Sequence, residues 1–285
     1  MMIQKLILLC ALSTQIMAQP KVALVIGNSK YEKASALHNP VNDAHLVSST
    51  FTELGFQVIM GVDLSNAEMK HKIRDFGRSL DQAEVAVCFY AGHGLEVRGE
   101  NYLVPISADI EQEYEVEDEC VSVNRILATM ENSDAGVNIL ILDSCRNNPF
   151  ARSWRSGGSS GGLAQMSAPP STLLCYATAP NETASDGSVG EQNSPFTKAF
   201  VAALKVKGLP HPQLFQRVKR MVVQSTQHLE HVQRPWTADD LLADFYFHDA
   251  SAAEQPPVEA PAPTITPAQP ILAAGKDFFL SLIHI

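Results

Sequence analysis

Basic residues are in short supply. The chain has 21 lysines and arginines against 31 aspartates and glutamates, a formal charge of −10, which argues against nucleic-acid binding as its main role because that needs a basic footprint. The same balance is compatible with a basic peptide as ligand, although an acidic excess of this size also serves solubility alone. Cysteine is scarce, five in 285 residues, which excludes the disulfide scaffold expected of a small secreted domain. Long apolar runs are missing too: Leu6 to Leu12 falls far short of the roughly 20 residues needed to cross a bilayer. ALVIGNSKY, Ala23 to Tyr31, carries a single glycine, too few for a loop that cradles phosphates. The nine histidines do not pair with cysteines at metal-ligand spacing, and His228 with His231 is a weak signal by itself.

What is present reads as one ordinary globular unit between two segments of different character. Lys5, the apolar run after it and the small residue Ala18 before Gln19-Pro20 predict a secretory signal peptide over residues 1–18. A secreted or periplasmic chain is expected, with no membrane insertion once the signal is removed. From residue 250 to 279 the composition turns Pro/Ala-rich, which reads as a linker without a core. The last residues, Leu280 to Ile285, read as a sequencing-adapter remnant on a chain truncated within that linker.

Between these lies residues 19–249. KVALVIG, Lys21 to Gly27, is a continuous apolar run and predicts a strand covered on both faces. Asn42-Asp43 opens a helix carrying Val47, Phe51 and Leu54, FQVIMG is a second strand, and Ser65 with Glu68 caps a helix to Leu80. VAVCFYAGHG gives a third strand, LEVRGENYLVP a hairpin, and Val121 to about Asn132 a third helix. NILILDSCRNNPF, Asn138 to Phe150, is another buried strand, STLLCYATAP a further one, and Ser194-Pro195 enters a helix over Phe196 to Lys205. Leu214, Val218, Met221 and Val222 mark a final helix, and LLADFYF a last strand. Cys88 and Cys175 sit in apolar strand runs and read as core. The βαβα alternation predicts an α/β fold with a mainly parallel, doubly wound sheet of about six strands flanked by helices.

Two strands end on reactive residues. Cys145 leaves one of them and His93, flanked by glycines, leaves the other, 52 residues upstream. Carboxyl ends of parallel strands are where open α/β sheets bind ligands. A thiol beside an imidazole is an activated nucleophile, and the backbone N–H groups of Gly94 and Cys145 are candidates for an oxyanion hole. Order and spacing are those of caspase-type cysteine proteases. The ordered set ALVIGNSKY, NPVNDA, FYAGHG, NYLVP, LDSCRNNPF, YATAP and NSPFTKAF resembles the bacterial orthocaspases, within the wider metacaspase and caspase family, over about Lys21 to Asp249.

The resemblance implies the caspase-hemoglobinase fold, a His93/Cys145 dyad acting through a thioester, a monomer, and protein substrates. Metacaspases cut after Arg or Lys using acidic pocket residues. The matching positions are Asp43, Ala91 and Asp143, so peptides with Arg, then Lys, before the cut are expected. Asp43 also reads as a helix cap and Asp143 as a structural acceptor. The segment of about 151–170 reads as a flexible linker following the nucleophile, with Arg152 and Arg155 as self-cleavage sites. No cofactor is required by this chemistry. Calcium, on which many metacaspases depend, would find Glu117 and Asp118 as the nearest ligands, although the acidic loop Asp109 to Glu119 also reads as merely solvated. The competing reading is a catalytically weak scaffold or regulatory module.

Overall fold

The computed structural model of the chain describes residues 20–145, 149–150, 163–179, 184–187 and 190–249. Residues 1–18, read as a signal peptide, together with Arg152, Arg155 and everything from residue 250 onward, lie outside them. β1 (Lys21–Gly27) is the spine: it pairs in parallel with β2 (Phe56–Val62) on one side and with β3 (Val85–Val97) on the other. β6 (Val137–Cys145) and β7 (Thr172–Tyr176) extend the sheet in parallel, and β8 (Trp236–Asp239) closes it antiparallel, for an order of β2-β1-β3-β6-β7-β8. This is the α/β architecture with a mostly parallel sheet expected from the alternating pattern.

Continuous apolar strands make sense because both faces are covered. Along β1, Ala23 and Val25 pack beneath α1 (Pro40–Glu53), α5 (Pro195–Leu204) and α6 (His211–Thr226), while Val22, Leu24 and Ile26 pack beneath α2 (Asn66–Ser79) and α4 (Val123–Glu131). Each of the larger of these side chains contributes about 1.5–3 kcal/mol on burial. The first face is dominated by aromatics: Phe51, Phe56, Phe200, Phe215 and Phe247 stack in an interlocking group. β3 outruns the sheet and turns at Arg98 and Gly99, both at positive φ, into β4 (Glu100–Leu103), which also pairs with β5 (Val121–Ser122). That two-residue turn twists as the strands do. Beyond the hairpin, a 3₁₀ turn (Glu113–Glu115) leads into α3 (Val116–Glu119).

Four details differ from the sequence reading. α1 begins at Pro40, so Asp43 lies inside the first turn instead of ahead of it. The third helix loses Val121 and Ser122 to β5, because Val121 pairs with Leu103. The last strand is Trp236–Asp239, not LLADFYF. Phe245 and Phe247 are buried at strand-like spacing, but their segment pairs with the connection before α6, through His211 N–H to Phe245 carbonyl (2.8 Å) and Gly208 N–H to His248 carbonyl (2.8 Å). Finally, part of the expected linker is packed. Leu163 is buried in the core, and Asn101 grips Ala164 through both its amide and its carbonyl oxygen (2.8 and 2.6 Å). Leu163 supplies the apolar anchor that the Ser/Gly stretch before it lacks.

The end of β1 fixes where α1 sits. A Cβ on Gly27 would stand 2.2 Å from the Pro40 carbonyl oxygen and 2.7 Å from Ala44 Cβ, so glycine is needed for close approach. Gly27→Ala is expected to lower the unfolding free energy by about 2–3 kcal/mol in urea denaturation. Gly136→Ala, whose Cβ would meet only the Glu84 carbonyl at 3.8 Å, serves as the comparison. Equal effects at the two positions would contradict the close-approach argument.

Candidate active site

The parallel ladder between β3 and β6 runs in register to its last pair, His93 with Cys145. Sequence positions 52 apart are thereby brought to adjacent strands at the carboxyl edge of the sheet, about 5 Å apart along the hydrogen-bonding direction. The backbone of His93 is fully engaged. Its N–H donates to the Tyr31 hydroxyl (2.7 Å), and its carbonyl accepts from Val104 N–H (3.0 Å) and the Tyr90 hydroxyl (2.8 Å). Gly92, just before it, has φ +151°, and a Cβ there would meet both tyrosine hydroxyls at 2.6 and 2.7 Å. The glycine is therefore what lets the two tyrosines close around the strand.

The imidazole of His93 is buried, 4% exposed, with the Tyr31 ring packed at 4.5 Å between centroids. Nε2 lies 2.8 Å from the Ser35 carbonyl oxygen, an acceptor only, so this nitrogen carries the proton and donates. Nδ1 is left buried with no hydrogen-bond partner among the described residues. Burial pushes the His93 pKa below its usual value, opposed by the Ser35 carbonyl and by the charge of Asp186. The ring is thus held neutral, in one tautomer, with a free lone pair on Nδ1.

Three carboxylates share the neighbouring pocket, a narrow cleft with a cavity of about 10 Å³ bordered by Asp43, Asp143, Asp186, Gly92 and Ser194. Asp43, 1% exposed, accepts at Oδ1 from the Asn193 side-chain amide (2.9 Å) and from Ser194 N–H (3.0 Å). It therefore anchors a distant loop and does not cap its own helix. Asp143, 7% exposed, accepts at Oδ2 from the Ser194 hydroxyl (2.5 Å) and the Thr197 hydroxyl (2.9 Å). Asp186 accepts from the backbone N–H groups of His38 (2.6 Å) and Asn39 (3.2 Å), and the Asn39 side-chain amide donates to the Asp186 carbonyl. Among the described residues, no lysine or arginine borders the pocket.

Burial, and then repulsion from Asp143, pushes Asp43 up to about 8. Burial raises Asp143 to about 6, against the pull of its two hydroxyl donors. Asp186 is raised by burial and held back by the His38 and Asn39 N–H groups. Burial and mutual repulsion thus favour the protonated acids here, and a cation in the pocket would offset both.

Of the residues singled out in the sequence, His93, Cys145, Asp43 and Asp143 gather at this edge. Gly94 follows His93 and pairs with Leu103. Ala91 is in register with Asp143 and shares its face of the sheet, where it packs into the core beneath α1, and Gly92 is the β3 residue bordering the pocket. Glu117 and Asp118 are exposed on α3, and among the described residues no three metal-ligating side chains converge. Several acids of that loop serve their own backbone instead: Glu115 accepts from the N–H groups of Glu111 and Gln112 (2.8 and 2.9 Å), and Glu119 from that of Asp109 (3.4 Å). Asp186, Ser35 and Thr197 were missed. The only sequence cue for Asp186 is its place in the loop leaving β7, at the same sheet edge.

Residues 20–246 match the family described as the caspase domain. Mucosa-associated lymphoid tissue lymphoma translocation protein 1 of Homo sapiens is 35% identical over 132 residues, which are 46% of this chain and 16% of that protein. Its Mus musculus homolog matches with the same identity and shares. The chain therefore covers 16% of the length of these curated relatives.

Raised carboxylates have a consequence for stability. In the folded state Asp43 keeps its proton up to about 8, whereas in the unfolded chain it loses it near 3.8. Its contribution to stability is complete below the lower value and is lost as pH rises through the higher one. Asp43→Asn keeps the acceptor for Ser194 and Asn193 but cannot ionise. Its advantage over wild type should grow with pH between these limits, by at most about 1.4 kcal/mol per unit. Thermal unfolding of both proteins across this range is the measurement; parallel curves would mean that Asp43 carries no extra proton.

Proposed function

The chain belongs to the caspase-domain peptidase family, and on that premise we propose that it is a cysteine endopeptidase cleaving after basic residues, arginine before lysine. The observation that carries this reading is the trio of carboxylates, buried Asp43 and Asp143 with half-buried Asp186, that borders one cleft beside the register pair of His93 and Cys145. A guanidinium entering the pocket supplies the missing charge and meets carboxylate oxygens with parallel N–H donors, geometry that favours Arg over Lys.

In the proposed reaction, Nδ1 of His93 takes the thiol proton of Cys145, and the sulfur attacks the peptide carbonyl carbon after the basic residue. The Gly94 and Cys145 N–H groups stabilise the oxyanion, worth roughly 3–4 kcal/mol per donor. The intermediate collapses to a thioester as His93 protonates the departing amine. Water, deprotonated by His93, then attacks the thioester, releasing the acid and restoring the thiol. The Ser35 carbonyl holds the ring in the required tautomer and stabilises the imidazolium that forms. The scheme calls on no cofactor.

A peptide-library profile is expected to show cleavage after Arg and, more slowly, Lys, abolished in Cys145→Ala and His93→Ala and strongly weakened in Asp143→Asn. Preferred cleavage after Asp would refute the pocket assignment. Arg152 and Arg155 lie in the segment after Cys145, outside the described residues, and we propose them as sites of self-processing. A smaller fragment beginning at Ser153 or Ser156 is expected from the active protein and should be absent from Cys145→Ala. Its equal appearance in both would assign the nick to another protease.

A further inference from the structure

Ser194 touches two of the pocket carboxylates at once. Its N–H donates to Asp43 Oδ1 (3.0 Å) and its hydroxyl donates to Asp143 Oδ2 (2.5 Å), while the same hydroxyl oxygen accepts Thr197 N–H (2.9 Å) as the cap of α5. With one lone pair committed to the helix, the hydroxyl proton has Asp143 as its acceptor. Thr197 repeats the contact. It is completely buried, and its hydroxyl donates to the same Asp143 oxygen at 2.9 Å.

Helix formation explains Ser194 but not Thr197. A cap needs one side-chain oxygen, already supplied, and a threonine in the first turn of a buried, Phe-rich helix would otherwise be served as well by valine. Burying a hydroxyl is unfavourable unless it is hydrogen-bonded, and Asp143 is the acceptor that this one has. Both carboxylates are consequently held through one oxygen each. Among the described residues, Oδ2 of Asp43 and Oδ1 of Asp143 take no hydrogen bond.

Resting on the reading of this pocket as the seat of a basic side chain, we propose that Ser194 and Thr197 are positioning residues. By gripping one oxygen of Asp143, and through the Ser194 N–H one oxygen of Asp43, they leave two free oxygens at a fixed spacing for a single guanidinium. They also set which acid carries charge in the empty pocket. Hydroxyl donors favour the ionised form of Asp143, while Asp43, deeper in mutual repulsion, keeps the proton until a cation displaces it. The other groups bearing on Asp143 are Asp186 from the loop after β7 and Cys175 on β7 itself, and His93 from β3 bears in turn on Asp186. None of these is altered by a change at Thr197.

The test uses Thr197→Val, Thr197→Ala and Thr197→Ser with peptides that differ only in Arg, Lys or the neutral isostere citrulline before the cut. Loss of the hydroxyl should raise KM for the Arg peptide roughly tenfold, about the worth of one hydrogen bond to a charged group, with a smaller effect on kcat. The Arg-to-citrulline ratio should fall with it, and the acid limb of kcat/KM should move to higher pH. Thr197→Ser should restore all three, and Thr197→Ala carries the test if Thr197→Val does not fold. An unmoved acid limb with an unmoved Arg-to-citrulline ratio would overturn the inference, and so would equal losses on both peptides accompanied only by a lower Tm. Wild type that cleaves after neither Arg nor Lys would overturn the pocket reading itself, and this inference with it.

Discussion

Burying carboxylates together, with no counter-ion among the described residues, is the constraint on which the rest of this molecule depends. Each acid removed from water must be repaid in hydrogen bonds or hold a proton, and the fold does both. Asp43 draws in Ser194 and Asn193, Asp143 draws in Ser194 and Thr197, and Asp186 draws in the backbone at His38 and Asn39. These bonds join segments from three distant parts of the chain. The start of α5 is tied to α1 and β6, and the loop after β7 is tied to the turn before α1. The arrangement that costs stability as pH rises from 3.8 through about 8 therefore also gives the pocket its shape, as expected where a site is organised ahead of its ligand.

The second half of the site comes from strand geometry. A parallel ladder maintained from Val85 and Val137 to its end leaves His93 and Cys145 as the last partners, so the apolar pattern along two strands decides which two reactive residues meet. The continuation of β3 into the hairpin gives the carbonyl of His93 its partner at Val104 and brings Tyr90 and Tyr31 onto the same backbone. Rigidity at this point has a chemical use. A base must present one nitrogen in one tautomer, and the Ser35 carbonyl decides which.

How far this was legible in the sequence follows from the range of each interaction. β1, β3, β6 and β7 are continuous apolar runs because both of their faces are covered, and they can be read locally. β8 cannot: Trp236 and Ala238 alternate with exposed Thr237 and Asp239 on an edge, a pattern no stronger than that of the Phe245–Phe247 stretch that is not in the sheet. His93 was readable from its glycines and Cys145 from its strand end, and a known spacing linked them. Asp186 was not, since its partner His38 is 148 residues away and nothing in a polar loop marks one aspartate over its neighbours. Ser35 leaves no signal at all, because its contribution is a backbone carbonyl that every residue carries. Ala91 was placed by analogy of position; it lies beside Asp143 on the same face of the sheet, packed into the core, and Gly92 is the β3 residue that borders the pocket.

One short stretch joins binding to chemistry. From Ser35 to Asp43 the chain supplies the carbonyl that orients His93, the two N–H groups that hold Asp186, the Pro40 carbonyl lying against Gly27, and the Asp43 carboxylate. Leu37 N–H donates to the Ser29 carbonyl (3.0 Å) and Val41 N–H to the Ser29 hydroxyl (3.3 Å), pinning the stretch to the end of β1. Asp186 acts on both sides, raising the proton affinity of Asp143 and Asp43 in the pocket and of His93 beyond it. A cation that neutralises the pocket therefore also weakens the field that favours an imidazolium, and a displacement of residues 35–43 moves the base and the pocket together. The ring and two of the acids, Asp43 and Asp186, lean on this one stretch, while Asp143 is held from β6 and α5.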